Sequence, residues 1–98
     1  MSETQPEIVR HEHATGGRYV IAIEGHEAEL TYSRASPHLI IVDHTGVPDA
    51  LRGRTLGQML VRRAVEDARA QSVKIIPLCP FTASEFRKHP DYQDVASR

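Results

Sequence analysis

Between residues 47 and 70 the chain reads VPDALRGRTLGQMLVRRAVEDARA, and the first half of that stretch concentrates the residue types best suited to hold an anion. Arg52 and Arg54 bring two guanidinium forks, each able to grip phosphate oxygens in pairs. Gly53 and Gly57 remove side chains that would keep a ligand, or a neighbouring strand, away from the backbone. The stretch then enters a helix. Backbone N–H groups in a first helical turn lack internal partners, and the helix dipole places about half a positive charge there. A helix start of this kind takes phosphate groups, and a diphosphate is the natural guest. Basic residues at that end oppose the dipole, so the arrangement costs stability until an anion arrives.

Elsewhere the reactive side chains are sparse. His11 and His13 alternate onto one face of a strand, but a metal needs a third ligand and no further His or Cys stands at a diagnostic spacing, so no metal site is expected. Cys79 is the only cysteine, which excludes a disulfide scaffold. Phe81 and Phe86 read as core.

The elements that must position the anion loop follow from hydrophobic period. Four short strand-like runs, EIVRHEH, RYVIAIE, EAELTYS and HLIIVDH, are separated by the turn-forming ATGG, GH and ASP. In succession, with tight connections, they predict an antiparallel meander. Tyr19, Ile21 and Ile23 share one face of the second run and Val20 and Ala22 the other, which predicts a strand covered on both sides. From Leu56 the apolar residues Leu60, Val61, Ala64, Val65 and Ala68 form a helical stripe, with Arg62, Arg63, Glu66, Asp67 and Arg69 on the wet side. The pairs Arg62–Glu66 and Arg63–Asp67 stand four residues apart, as helical ion pairs do. Thr55, followed three residues later by Gln58, fits a capping box. VKIIPLC reads as a buried strand, and PFTASEFRKHPDY as a short helix opened by Pro80 and closed before Pro90. A strand, a helix and another strand predict a right-handed parallel crossover, so the fold class is mixed α/β.

Composition bounds the rest. A chain of 98 residues predicts one domain spanning 1–98, with about 60–68% of the unfolded chain's surface buried on folding. No run approaches the roughly 18 apolar residues of a membrane span, so no membrane partner is expected. The start lacks a basic segment followed by an apolar one, and with a lone cysteine this points to the cytoplasm. The first six and last four residues read as loose ends. The net charge of −1 hides an uneven distribution. Arg52, Arg54, Arg62, Arg63, Arg69 and Lys74 face only Glu66 and Asp67 in the centre of the chain, while Glu24, Glu27, Glu29, Asp43 and Asp49 face only Arg34 before it. A basic centre suits a polyanion and an acidic flank a cation. The overall balance and the lack of any reading motif argue against a nucleic acid partner.

LRGRTLGQMLVRRAVEDAR resembles the coenzyme A pyrophosphate loop of the GNAT acyltransferases, Q/R-x-x-G-x-G/A at a strand-to-helix junction. Joined to PLCPF and HPDY at this spacing, it is similar to the small single-domain GNAT-like N-acetyltransferase family over residues 24 to about 92. That resemblance implies a minimal GNAT fold, acetyl-CoA as the ligand with CoA as product, and an amine-bearing acceptor, small molecule or protein. It leaves as rival a CoA-binding regulatory module with little or no turnover; a second rival, an unrelated phosphate-binding α/β domain, is the one the sequence argues against.

Carried over residue by residue, the resemblance places the loop at residues 51–58. Arg52 takes the first motif position and Gly57 the last, while Thr55 stands where the middle glycine is expected. Val47, Leu51, Arg52, Gly53, Arg54, Thr55, Leu56, Gly57, Gln58 and Cys79 are then the residues that meet the cofactor, and the pantetheine arm runs between residues 39–45 and 74–78. Acetyl transfer needs a neutral amine, a donor for the developing oxyanion and an acid for the leaving thiolate. The candidates are His44 at the end of the fourth strand, Cys79 as an acyl acceptor in a two-step route or a passive neighbour, and, by the resemblance, Tyr92 as the thiolate's acid; His89, at a helix exit locked by Pro90, is a candidate lining of the acyl pocket. Two positions depart from the pattern. Gly46 stands where such relatives carry a glutamate that could serve as base, and Glu85 where they carry an aromatic residue.

Overall fold

The computed structural model describes residues 6–97; the expectation of loose ends at residues 1–5 and 98 lies outside them. Five strands form one sheet in chain order: β1 (Val9–His13), β2 (Gly16–Ile23), β3 (His26–Ser36), β4 (Leu39–Gly46) and β5 (Lys74–Pro77). The first four pair antiparallel, and β5 lies parallel to β4. A 3-10 turn at Asp49–Leu51 leads into α1 (Leu56–Gln71), α2 (Pro80–Lys88) follows β5, and a second 3-10 turn spans Pro90–Asp94. This is the mixed α/β order that hydrophobic period predicts. The β2–β3 hairpin turns on Glu24 and Gly25, both with positive φ, the backbone that a two-residue turn between twisted strands requires.

One face of the sheet is covered. Tyr19, Ile21, Ala28, Leu30, Tyr32, Ile40, Val42 and Ile75 are buried against the α1 stripe of Leu60, Val61, Ala64, Val65 and Ala68. At roughly 25 cal/mol per Å² of apolar surface, burial of this shared face is the main force holding helix to sheet. The expectation that β2 is covered on both sides does not hold. Val20 is buried by its neighbours, but Ala22 two residues on is exposed, because α1 and α2 pack against each other and leave the opposite face to solvent.

Two chain ends also differ from their sequence readings. Thr55 adopts a left-handed backbone, φ 58° and ψ 25°, and its hydroxyl donates to the Arg54 carbonyl at 2.6 Å. A capping box needs an extended residue at that position, so the hydroxyl is turned away and α1 starts without a side-chain cap. Towards the C-terminus, residues 95–97, expected to be loose, are tied down. Ile75 donates to the Val95 carbonyl at 2.7 Å and accepts from the Ser97 N–H at 2.8 Å, and Val95 is buried.

Candidate functional site

The site begins with one extra residue in β4. Tyr32 pairs with Val42, but its neighbour Thr31 pairs with His44, so Asp43 is bulged out of the ladder. Regular alternation from Val42 would carry His44 to the helix side and Thr45 to the open side. The bulge reverses this: Thr45 pairs with buried Leu30 and faces the helices, while His44 pairs with Thr31 on the open face. Asp43 is fixed there by the Thr31 and Ser33 hydroxyls, which donate to its two carboxylate oxygens at 2.6 and 2.9 Å.

Beyond the bulge β4 and β5 part. Their pairing ends at Val42 and Pro77, and proline cannot donate to continue it. The Cys79 N–H still reaches the Val42 carbonyl at 3.0 Å, which places the thiol at the head of the gap. There the Cys79 thiol donates to the Thr45 hydroxyl at 3.7 Å, and the hydroxyls of Thr45 and Thr82 lie 3.3 Å apart. Burial pushes the Cys79 pKa up. Once the thiol is deprotonated, the Thr82 N–H, the Thr45 hydroxyl, the Phe81 N–H and the Thr82 hydroxyl can all donate to the thiolate, and together they outweigh burial and hold the pKa below its ordinary value. Cys79 precedes the first residue of α2, so the Phe81 and Thr82 amides among these donors are free groups of a helix start.

Thr45 also lines a cleft of about 340 Å³ at the entrance of α1. The cleft gathers Val47, Leu51, Arg52, Gly53, Thr55, Leu56, Gly57 and Gln58, together with Phe81 from α2. Because Thr55 leaves the first turn uncapped, its backbone donors are not consumed by a side chain. Arg52 pairs with Asp49 at 3.0 Å, but side-chain exposures of 72% and 94% leave the guanidinium free to exchange partners. The two glycines differ. Gly53 has φ +84° and open space where a Cβ would stand, so it supplies both the turn and the approach. A Cβ on Gly57 would come within 2.9 Å of the Phe81 ring, so that space is filled by Phe81 rather than left for a ligand.

The other expected site residues lie apart. Arg54 is outside the lining of this cleft and turns to Glu24 in the β2–β3 turn, at 3.9 Å. His44 is exposed on the open face; its Nε2 lies where a Cβ on Gly46 would come to 3.0 Å. Tyr92 belongs to a second cleft, between the α1 start and α2, with Glu85 and His89. Burial raises the Tyr92 pKa, Arg62 opposes this, and Asp91, Glu85 and Glu66 add to it. The three catalytic candidates Cys79, His44 and Tyr92 are therefore not brought to one place. His11 and His13 are both exposed on the open sheet face, and among the described residues no three His, Cys, Asp or Glu side chains converge as metal ligands. None of the described helices is long and apolar enough to cross a membrane. Sequence reasoning missed Thr45 and Thr82, and it assigned Phe81 to the core alone.

The family model of the GCN5-related N-acetyl-transferases matches residues 18–95. The chain belongs to the GCN5-related N-acetyl-transferase family. Its fold is also similar to the NMR solution structure of a GCN5-like candidate N-acetyltransferase from Staphylococcus aureus, with a TM-score of 0.74 and 34% identity over 97% of this chain and 91% of that one. In this GCN5-related fold the matched segment opens within β2 and takes in the two clefts described, the β4 bulge and Cys79, leaving β1 outside it.

Proposed function

We propose that this GCN5-related chain is an N-acetyltransferase that moves an acetyl group from acetyl-CoA to an amine, with residues 1–98 acting as one acyl-CoA-binding domain. One observation carries the reading: the uncapped start of α1, with Arg52 and the open turn at Gly53, lines a cleft that reaches Thr45 at the gap between β4 and β5. The donor set fits a diphosphate, since first-turn amides and a guanidinium together offer several N–H groups to one anion. In this reading Val47, Leu51, Arg52, Gly53, Thr55, Leu56, Gly57 and Gln58 hold the carrier, and Arg54 swings from Glu24 to join them. The strand edges beyond the Val42–Pro77 pair offer unpaired backbone groups to the amide-bearing arm. Thr45, Cys79 and Thr82 then stand at the acyl end. The bound thioester supplies an activated acetyl group. The amine must arrive neutral, its nitrogen bonds to the acetyl carbon, and the thiolate that leaves takes up the proton the amine gives off.

The lowered pKa of Cys79 favours a second, two-step route. The Cys79 thiolate bonds to the acetyl carbon as the CoA thiolate leaves; the neutral amine then bonds to that carbon, its bond to Cys79 breaks, and the released Cys79 thiolate takes the proton the amine gives off. A protein adduct of one acetyl mass, lost in Cys79→Ser with CoA affinity kept, marks this route; an adduct that persists in Cys79→Ser removes it. This reading draws on neither His44, on the open sheet face, nor Tyr92, in the second cleft.

The test is thermal unfolding with acetyl-CoA, CoA and ATP at matched concentrations. At about 100 times the dissociation constant a ligand adds roughly 2.7 kcal/mol, which for a domain of this size raises Tm by about 10–20 °C. Both CoA species should raise Tm and ATP should not, and adding amines should release CoA. No shift with any of them at about millimolar concentration overturns the proposal, and binding without release reduces the chain to a CoA-binding module.

A further inference from the structure

The transfer leaves the second cleft unused. It encloses about 230 Å³ between the first two turns of α1 and the α2 segment that ends in the Pro90–Asp94 turn. It shares Thr55 and Gln58 with the first cleft, so the two meet at the anion loop. One side chain there is out of keeping with its surroundings. Glu85 is only 2% exposed, and its nearest cations are the His89 Nε2 at 3.5 Å and the Lys88 Nζ at 3.7 Å. Both distances exceed the roughly 2.7–2.9 Å of a charge-assisted hydrogen bond. A carboxylate buried with such distant partners costs free energy unless a donor comes closer.

The walls restrict what that donor can be. His89 and Tyr92 stack with centroids 4.6 Å apart and planes 21° from parallel; Tyr92 is buried and also packs on Phe86, so the outer side of the half-exposed His89 ring supplies the flat aromatic surface beside the carboxylate. Asp91 adds a second negative charge to the lining, so an anionic group is disfavoured at the floor, while Arg62 stands exposed on the α1 side. A flat, uncharged heterocycle with an amino group satisfies all three conditions: its ring lies against that aromatic surface and its N–H donates to the carboxylate.

Resting on the proposed function, we propose that this cleft receives the nucleobase of the acyl carrier and that Glu85 reads it, accepting a hydrogen bond from the base's exocyclic amino group. The shared rim at Thr55 and Gln58 supplies the continuity: a carrier whose diphosphate occupies the α1 start passes its pantetheine arm towards Thr45 and its nucleoside end into this cleft. Glu85 then selects an aminopurine over an oxopurine, because the carbonyl of an oxopurine would meet the carboxylate with no proton between them.

Calorimetric titration of the full chain with CoA, its deaminated inosine analogue and 4′-phosphopantetheine tests the assignment. The wild type should bind CoA about 10- to 100-fold more tightly than the inosine analogue, the loss expected when a hydrogen bond to a charged group is removed, and 4′-phosphopantetheine, which lacks both the nucleoside and the diphosphate, should bind more weakly still. Glu85→Gln should narrow the gap between CoA and the inosine analogue to about threefold or less, since an amide can turn its oxygen to one base and its NH2 to the other. A role of Glu85 in folding alone would not change that ratio. Equal binding of CoA and the inosine analogue by the wild type overturns the inference and leaves the proposed function standing. Failure of all three ligands to bind overturns both. The wild-type comparison decides the matter even if Glu85→Gln does not fold.

Discussion

The two ends of α1 handle charge in opposite ways. Towards its C-terminal half, Asp67 accepts hydrogen bonds from the Tyr19 hydroxyl at 2.8 Å, from Arg63 at 3.3 Å and from Arg10 at 3.4 Å. Arg10 also donates to the Tyr32 hydroxyl and lies over both tyrosine rings, and Glu12 accepts from Tyr32, Arg10 and Arg34. Each polar group there is answered by another. Burial, with the Asp67 acceptor, drives the Tyr19 pKa far up, and the Arg34 hydrogen bond holds Glu12 below the usual carboxylate value. At the N-terminal end the first turn has no cap, and Arg52 and Arg54 have only exposed carboxylates as partners. A closed network serves the fold because its members cost free energy if any one is removed. An open one contributes little to stability and keeps its groups available to a ligand.

The largest expected effect breaks the open end. Arg52→Ala combined with Arg54→Ala should weaken CoA binding by about 2–4 kcal/mol by titration while leaving the urea midpoint in place, because the lost contacts are charge-assisted and made only to the ligand. A lowered urea midpoint would mean that these arginines belong to the fold after all. Next comes the closed end. Asp67→Ala strands the buried Tyr19 hydroxyl and takes one carboxylate partner from each of Arg10 and Arg63, and should cost about 2–3 kcal/mol, seen as a fall in Tm of roughly 10–20 °C with ligand affinity kept. The smallest effect is read from pH. Glu12 has a folded pKa below its ordinary 4.5, so its contribution is complete above that value and is lost as pH falls through the lower folded one. Glu12→Gln should therefore flatten the acid limb of a stability profile below about pH 4.5 and change the neutral region only modestly; an unchanged acid limb would remove Glu12 from the network.

How much of this was legible depends on the range of each signal. The Leu56–Ala68 stripe and a short helix opened by Pro80 and closed before Pro90 follow from local period and turn chemistry, and Arg52 and Gly53 as part of an anion site follow from their place before a helix start; the wider run from Val47 to Gln58 comes from the family resemblance. The β4 bulge does not. One extra residue leaves no mark in a strand as uniformly apolar as LIIV, and it exchanges His44 for Thr45 on the face that matters. The only clue was a carboxylate, Asp43, opposite the hydroxyls of Thr31 and Ser33, and it becomes visible once the register is known. Thr55 was misread because a left-handed backbone cannot be inferred from a threonine, which seldom adopts it. The place of Phe81 over Gly57 is a contact between helices that meet through folding alone. Glu85 did carry a signal, a charged residue three places after Thr82 and beside Phe86 on the inward side of a short helix.

The β4 bulge makes insertions and deletions unequal in their effect. With Asp43 deleted, regular alternation from Val42 would still send His44 outward and Thr45 inward, so a shorter strand keeps the same side chain at the gap. One residue added between His44 and Thr45 would turn the hydroxyl to solvent. In this segment chain length governs which chemistry faces the cleft more strongly than most single substitutions could.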